Sequence, residues 1–290
     1  MVPGPTPAPT PTPTATPTPV PTFAYSPAFD LSQDRSIPLI GAELIAQIDT
    51  STNSNSYGAI AAALQDAVVN PYLNYVATSR QLALARFNST ADIYHGSEMS
   101  LQGADRIVYQ NSIGFASWAQ PGPNLGPLPS SLRYTVIVVQ NQQPRNAAGR
   151  LDSVERRYVG GAATVSGDVP TSGSGSYTVV LTGASARPTG GDGLIAQNAQ
   201  LTVDFAARTV TGTVIALSSS SPSAGERISL LFQGQLAADG RISGGLTSAD
   251  GATGRFAGQL YGPAGGELGL AFALQRDTLQ GVGTVAGLRR

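Results

Sequence analysis

One short segment, Tyr94–Met99 (YHGSEM), concentrates the side chains best suited to metal chemistry. It contains Tyr94, His95 and Met99, and His95 is the only histidine of the chain. Tyrosine, histidine and methionine all serve as axial ligands of haem iron. The segment therefore suggests a haem site. The alternative is an ordinary loop with a solvent-facing histidine and a half-buried tyrosine.

Aromatic residues near a proline-rich loop form the second group of candidates. Tyr109, Phe115 and Trp118 precede residues 119–130 (AQPGPNLGPLPS), and Trp118 is the only tryptophan. Exposed aromatic side chains on such loops are good anchors for a partner. A tryptophan can equally fill the junction of two lobes. The predicted ligand- or partner-binding residues are Tyr94, His95, Met99, Tyr109 and Trp118.

The reactive side chains argue against an enzyme. A Ser-His-Asp triad built on His95 would need two partners that no motif identifies. The sequence has no nucleophile elbow, no phosphate-binding loop and no paired-histidine metal motif. It also has no cysteine, which excludes disulfides, thiol catalysis and cysteine-based metal sites. We therefore predict a non-enzymatic protein with no catalytic residue, no metal site and no cofactor, for which haem is a candidate cargo.

Charge and hydropathy restrict the partners. The 290 residues include 17 basic and 18 acidic ones, and the basic residues form no patch. Nucleic acid is therefore not an expected partner, because its phosphates require clustered positive charge. No apolar run approaches the length of a membrane span. We expect contact with a membrane through a lipid anchor only.

The first residues predict a tether. Residues 2–22 are almost entirely proline, threonine and alanine, and alternating prolines favour an extended, semi-rigid spacer with no regular hydrogen bonding. Such a spacer suits a domain held away from a surface. Met1 leads directly into this tract, without the apolar region of a signal peptide. We therefore expect an exported protein at the outer membrane whose signal and anchor are absent from this chain.

The region after the tether has mixed patterns. The run YGAIAAALQDAVVN (57–70) places Ile60, Leu64 and Val68 at i, i+4 and i+8, which predicts a helix ending at Asn70. Residues 39–49 fit either a strand or a short helix. The β-branched run 134–140 predicts a strand.

The chain after residue 171 changes to short apolar segments separated by polar turns. This rhythm predicts eight strands, which can form either a closed barrel or an open sheet packed on the preceding part. The predicted strands are Ser176–Thr182, Gln200–Phe205, Thr209–Leu217, Arg227–Leu236, Gly240–Leu246, Gly254–Tyr261, Glu267–Gln275 and Leu279–Ala286. The loops Ser185–Gly193 and Ser218–Glu226 are long for a meander. They are either partner contacts or solvated excursions.

Two motifs in this half resemble a known family. The hairpin sequence LYGPAGGELG is similar to the F-Y-G-P-x-A-x-E-x-G-G signature in the barrel of bacterial surface lipoproteins related to transferrin-binding protein B. The match is carried by Tyr261, Gly262, Pro263, Ala264, Glu267 and Gly269. Leu260 and Leu270 depart from it. The run Tyr158–Gly183 resembles the family's approach to the barrel, through Thr164, Pro170, Gly173 and Tyr177.

The resemblance implies a mainly β protein with two parts. A handle-like N-terminal lobe of short strands with one helix (23–165) would precede an eight-stranded antiparallel up-and-down barrel (166–290), with residues 1–22 as a disordered tether. It also implies a binding protein that captures a nutrient, such as haem, an iron carrier or another small solute. The cargo would pass to a TonB-dependent outer-membrane transporter. The alternative is a structural or adhesive surface protein without small-molecule cargo.

Overall fold

The computed structural model describes residues 23–48, 56–65, 71–85, 91–123, 128, 130–145, 149–218 and 226–290. The predicted tether (1–22) lies outside the described residues. The described chain forms two all-antiparallel sheets, an N-terminal ten-stranded sheet and a C-terminal closed barrel of eight strands. The predicted fold class, mainly β with a C-terminal barrel, is confirmed.

Ten strands form the N-terminal sheet, in the order β5-β4-β3-β1-β10-β9-β8-β7-β6, with β2 paired to β1. Their bounds are Arg35–Ile48 (β1), Tyr57–Gln65 (β2), Tyr72–Val76 (β3), Gln81–Ala85 (β4), Asp92–Tyr94 (β5), Met99–Gln102 (β6), Arg106–Asn111 (β7), Gly114–Ala119 (β8), Thr135–Gln142 (β9) and Asp152–Gly161 (β10).

The long strand β1 organises this sheet. One of its edges pairs with β10, and the other pairs first with β3 and then with β2. Because alternate side chains of a strand point to opposite faces, β1 contributes to two cores. Ile37 and Leu39 pack into the core of the N-terminal lobe, whereas Ala42 and Leu44 pack toward the barrel. The strand therefore connects the two halves.

The core of the N-terminal lobe is built around Trp118. The sheet curls so that strands near its two ends face each other. The Trp118 ring lies 4.8 Å from the ring centroid of Phe29 and 5.4 Å from that of Tyr75. Tyr94 and Tyr109 approach within 6.0 Å across the same core. This packing closes the curled sheet over an apolar interior.

The remaining strands form the barrel, and each pairs with its neighbours in sequence. The last strand pairs with the first, so the sheet closes and leaves no open edge. Phe232, Phe256 and Phe272 pack together inside it. The strands are Ser174–Arg187 (β11), Gly190–Asp204 (β12), Thr209–Ser218 (β13), Arg227–Leu236 (β14), Arg241–Thr247 (β15), Thr253–Tyr261 (β16), Glu267–Arg276 (β17) and Leu279–Arg289 (β18).

The predicted helix at 57–70 is wrong over its first nine residues, which form the strand β2. Residues 66–70 lie outside the described part of the chain. Ile60 and Leu64 are four residues apart, a spacing that fits one helix face and also one strand face. As a strand, β2 gains a hydrogen-bonded ladder with β1 and packs Ile60, Ala62 and Leu64 on the apolar contact with the barrel. That tertiary contact overrides the helix propensity of the alanine-rich run.

The long strands decide two further predictions, those for residues 39–49 and for the loop Ser185–Gly193. Residues 39–48 belong to β1 and are extended. The predicted loop Ser185–Gly193 is wrong, because β11 and β12 continue as a hairpin almost to its turn at residues 188–189. The helical segments described are short 3₁₀ turns such as Gly96–Glu98 and Pro263–Gly265. Within the described residues, no helix is long and apolar enough to cross a membrane.

Small side chains let the N-terminal sheet lie close against the outer wall of the barrel. Ala42 and Ala46 of β1 meet Ala186 and Ala273 of the barrel. Gly269 allows a close approach, since a Cβ atom at this residue would lie 2.3 Å from Cγ2 of Val159. Larger residues at these positions would force the two sheets apart.

The turn between β16 and β17 anchors the two lobes to each other. Glu267 is buried, and its two carboxylate oxygens accept hydrogen bonds from the backbone N–H groups of Arg133 (2.6 Å) and Tyr134 (3.0 Å). Gly262 has φ of 69°, and a Cβ there would meet the Tyr134 ring at 2.3 Å. Desolvation raises the pKa of Glu267, and the backbone donors partly offset this effect.

The same turn holds the segment that joins the two lobes. Thr164 donates its hydroxyl to the carbonyl of Gly262 (2.8 Å), and the Ala264 N–H donates to Asp168 (2.8 Å). Tyr177, in the first barrel strand, donates its hydroxyl to the carbonyl of Gly265 (2.5 Å). The motif residues of the turn therefore have a structural role, because they hold the connecting segment and the first barrel strand in place.

Replacing Glu267 by alanine tests this anchor. Glu267→Ala leaves two part-buried N–H groups without their acceptor, and an unsatisfied buried donor costs about 1–3 kcal/mol. We expect the free energy of unfolding in urea to fall by about 3 kcal/mol. Glu98→Ala is the control, because Glu98 accepts only from the exposed N–H of His95. Equal losses in the two variants would contradict an anchoring role for Glu267.

The buried hydroxyl of Tyr177 predicts a loss of stability in alkali. Burial raises the pKa of Tyr177 from 10.0 to about 12. Between these values the unfolded state loses the proton first, so the stability that this group contributes is complete below pH 10 and is lost as the pH rises toward 12. Urea unfolding between pH 9 and pH 11.5 should therefore show a shallower loss for Tyr177→Phe than for the wild type.

The control for that measurement is Tyr72→Phe. Tyr72 is an exposed side chain at the start of β3, so its variant should keep the wild-type pH dependence. If Tyr177→Phe lost stability as steeply as the wild type, Tyr177 would make no contribution to this pH dependence.

Candidate functional site

Three of the five predicted binding residues are core side chains. Trp118 and Tyr109 are 0% exposed and Tyr94 is 1% exposed. The Tyr109 hydroxyl donates to the carbonyl of Arg80 at 2.7 Å. Both interpretations of Trp118 are wrong: it is neither an exposed anchor nor at the lobe junction, because it lies inside the N-terminal core. These three side chains are therefore part of the core and do not contribute to a binding surface.

His95 is exposed and lies next to the buried Tyr94. Its backbone N–H donates to the Glu98 carboxylate at 2.8 Å, and its carbonyl accepts from the Glu98 N–H. Met99 is partly buried against the N-terminal core. Because neighbouring residues of an extended segment point to opposite faces, Tyr94 and His95 do not face one iron atom. Haem binding at this segment stays a prediction.

The Tyr94 hydroxyl joins a buried polar network that the sequence did not reveal. The side-chain amide of Gln140 donates to Tyr94 at 2.8 Å and to Asp92 at 2.8 Å. The amide of Gln142 donates to the same hydroxyl at 3.2 Å. Desolvation raises the pKa of Tyr94, with its hydrogen bond from Gln140 acting in the opposite direction.

Arg156 completes this network from β10. Its Nη1 donates to the side-chain oxygens of Gln140 and Gln142, both at 3.0 Å, and its Nε pairs with the Glu43 carboxylate. Four strands (β1, β10, β9 and β5) are therefore linked by side chains on one face of the sheet. A network satisfied in this way specifies strand register. It holds the interior of the lobe together and has no free group aimed at a ligand.

A cleft of about 280 Å³ separates the N-terminal sheet from the β11–β12 hairpin. Two aromatic side chains line it, Tyr57 from β2 and Phe115 from β8. Its polar lining includes Glu155, whose oxygens bind Arg157 (2.6 Å) and the amide of Asn141 (2.7 Å). Clefts between lobes are common ligand sites. This one combines aromatic surface with an ion pair that is already formed.

Exposed apolar side chains are concentrated on the N-terminal lobe. Of the nine large exposed hydrophobic residues among the described ones, six lie between residues 45 and 115. Ile113 at the β7–β8 turn and Phe115 just after it are 44% and 38% exposed. We call this pair the hairpin tip. Alternation along β8 places Trp118 inward and Phe115 outward, so of the aromatic candidates upstream of the proline-rich loop only Phe115 is exposed.

Among the residues that the structure describes, no three His, Asp or Glu side chains lie close enough together to hold a metal ion. The candidate surfaces are thus the hairpin tip and the inter-lobe cleft, to which Phe115 also contributes. Both suit binding of another molecule through shape and apolar contact.

Substitutions of Arg156 and Glu43 test how much this network contributes to stability. Arg156→Leu removes the cation and leaves Glu43 and two glutamine oxygens unpaired, so we expect a loss of about 3 kcal/mol in the free energy of unfolding. In the double variant Glu43→Leu/Arg156→Leu no unpaired charge remains, and the loss should be smaller than for Arg156→Leu alone. Urea unfolding of both single variants and the double variant gives the coupling. Strictly additive losses would contradict it.

Comparison with known proteins supports a relationship for the barrel. Residues 155–289 match the family model of the C-lobe and N-lobe β-barrels of Tf-binding protein B, from within β10 to the end of β18. No curated protein matches the sequence.

Solved structures of low similarity also align with the chain. Isotype 1 transferrin-binding protein B of Neisseria meningitidis is 9% identical, over 89% of this chain and 77% of that one, with a TM-score of 0.45. A mutant of transferrin-binding protein B from Actinobacillus pleuropneumoniae is 12% identical over 87% and 100%, with a TM-score of 0.44. A surface lipoprotein is 12% identical over 86% and 98%, with a TM-score of 0.43.

The identities are low and the TM-scores lie below 0.5, whereas the family match is to the sequence itself. That match covers the turn motif and the segment that leads into the barrel, and it confirms the resemblance inferred from them. Over residues 155–289, the chain is therefore similar to the C-lobe and N-lobe β-barrels of transferrin-binding protein B.

Proposed function

We propose that this protein is a surface-tethered, non-enzymatic binding protein whose cargo is an iron-carrying host protein. The observation that carries the proposal is the match of the barrel to the family of transferrin-binding protein B. A protein cargo suits the exposed apolar side chains of the N-terminal lobe better than a small solute does. Neither the hairpin tip nor the inter-lobe cleft is a closed pocket.

The N-terminal lobe is the part that we propose to contact the cargo. The hairpin tip presents Ile113 and Phe115 together, and Phe115 continues into the inter-lobe cleft beside Tyr57. Aromatic and aliphatic anchors of this kind dominate protein interfaces. The core around Trp118 and the Arg156 network fix the strands that present them. The barrel then acts as the support.

Location and delivery form part of the same proposal. The proline-threonine tract (2–22) has the composition of an extended spacer, which suits a tether to the outer membrane through a lipid anchor. A binding protein held there would deliver its cargo to a TonB-dependent transporter. Protease accessibility on intact cells of the source organism would test the surface location.

The binding test compares surfaces on the two lobes. We expect iron-loaded vertebrate transferrins or lactoferrins to bind the immobilised protein in surface plasmon resonance. The double variant Ile113→Ser/Phe115→Ser should raise the Kd by roughly tenfold or more, because it removes both anchors. The matched control is Ile195→Ser/Ile215→Ser, which changes two equally exposed side chains on the barrel. Its Kd should stay at the wild-type value.

Haem titration separates the remaining candidates. One outcome is that haem binds with a Soret shift, that His95→Ala abolishes this shift, and that no iron protein binds. The cargo would then be haem, and the proposed protein cargo would be wrong. If neither haem nor any iron protein bound, the structural or adhesive alternative would replace the proposal. If the barrel variant Ile195→Ser/Ile215→Ser raised the Kd more than the hairpin-tip variant did, the contact with the cargo would lie on the barrel, and the proposed role of the N-terminal lobe would be wrong.

A further inference from the structure

The strand β2 has an open edge in a molecule whose barrel is closed. It pairs with β1, and within the described residues it pairs with no other strand. In an antiparallel pair, alternate residues direct their N–H and C=O groups toward each edge. The Tyr57 N–H donates to the carbonyl of Pro188 at 3.0 Å, and beyond Tyr57 the outer edge of β2 presents a row of backbone donors and acceptors.

β2 also lacks the features that usually protect such an edge. Natural edge strands carry charges, prolines or bulges that discourage pairing with another chain. The sequence YGAIAAALQ has no charge and no proline, and the irregularity in its pairing with β1 lies only near Tyr57. Ala59, Ala61 and Ala63 face solvent. Their small side chains leave the edge open to an approaching strand.

A groove of about 400 Å³ lies beside β2, above the outer wall of the barrel. Ala62 and Leu64 line it from β2, on the face that packs toward the barrel. A strand added to β2 would continue the same alternation, so every second side chain would point into this groove. Backbone pairing and side-chain recognition would then occur at one place.

The floor of the groove is polar and carries one kind of charge. Thr253, Gln275 and Gln280 are cross-strand neighbours along it. Arg255 is the charged residue of the lining, and its guanidinium forms no hydrogen bond or ion pair within the described part of the chain. A guanidinium binds a carboxylate through two parallel hydrogen bonds. The groove therefore favours an acidic side chain.

We propose that β2 is a docking strand for an extended segment of a protein partner. The segment adds to the open edge and places an Asp or Glu carboxylate on Arg255. A second copy of β2 is a poorer occupant, because Tyr57–Gln65 contains no acidic residue for Arg255. The groove is separate from the hairpin tip, so this interaction does not rest on the proposed cargo.

Selection from a displayed library of random nonapeptides tests the docking strand on the full chain. We expect enriched peptides to carry Asp or Glu and to alternate in polarity. Their addition should slow amide hydrogen exchange in residues 57–65. Arg255→Ala should weaken binding by roughly tenfold or more, as expected for loss of a charge-assisted pair. Arg227→Ala, at another exposed barrel arginine outside the groove, should leave the affinity unchanged.

Two proline variants test the backbone pairing itself. Neighbouring residues direct their N–H groups to opposite edges, so one of Ala61→Pro and Ala62→Pro removes a donor from the open edge. That variant should keep the wild-type circular dichroism spectrum and lose peptide binding. If either variant fails to fold, the Arg255 comparison and the exchange pattern still decide.

Three results would overturn the proposal. The first is a selection that enriches no peptide. The second is a set of peptides that protect amides elsewhere or bind Arg255→Ala with wild-type affinity. The third is concentration-dependent dimerisation, detected by sedimentation, that protects β2 amides without any peptide. That last result would assign the edge to a second copy of the chain.

Discussion

The two halves of the molecule depend on one buried carboxylate. Glu267 begins a barrel strand, yet its hydrogen-bond donors are the N–H groups of Arg133 and Tyr134, which precede β9 of the other sheet. A buried carboxylate is unfavourable unless it is hydrogen-bonded, so the barrel turn and the start of β9 must stay together. The positive φ of Gly262 and the Tyr134 ring stacked against it complete the same constraint.

The Glu267 turn lies beside a contact in which the sheet and the barrel wall approach closely. Alanines on β1 and on β17, together with Gly269, let the sheet lie directly on the barrel wall. Larger side chains such as Leu44, Leu64 and Val282 fill the rest of the contact, and the hydrogen bonds of the Glu267 turn add a directional constraint on its position. The apolar residues that remain exposed then fall mainly on the N-terminal lobe, away from the surface that the barrel already covers.

The sequence predicts the barrel well because its signals are local. Alternation and turn residues gave β14 its exact bounds and placed the ends of β13, β15, β16 and β17 within one residue. The N-terminal lobe was less predictable because its structure depends on distant contacts. The alanine-rich run 57–65 has helical spacing, and only pairing with β1 makes it a strand. Trp118 looked like a surface anchor beside a proline-rich loop, but the curl of the sheet encloses it.

The same difference explains why the candidate site was hard to find. The Arg156 network joins residues up to 113 positions apart, and no sequence spacing predicts contacts between residues so far apart. Phe115 is one of the aromatic candidates upstream of the proline-rich loop, but only the alternation along β8 shows that its side chain is exposed while Trp118 is buried.

The division between a closed and an open sheet also determines how each half can interact. A closed barrel satisfies its backbone groups internally, so it can offer only side chains and turns to another molecule. Among the described strands, the open edges belong to β2, β5 and β6, all of them in the N-terminal sheet. That sheet also carries most of the exposed apolar side chains. The unpaired strand edges and most of the exposed apolar side chains are therefore concentrated in the N-terminal lobe, whereas the closed barrel is the part that matches the family model.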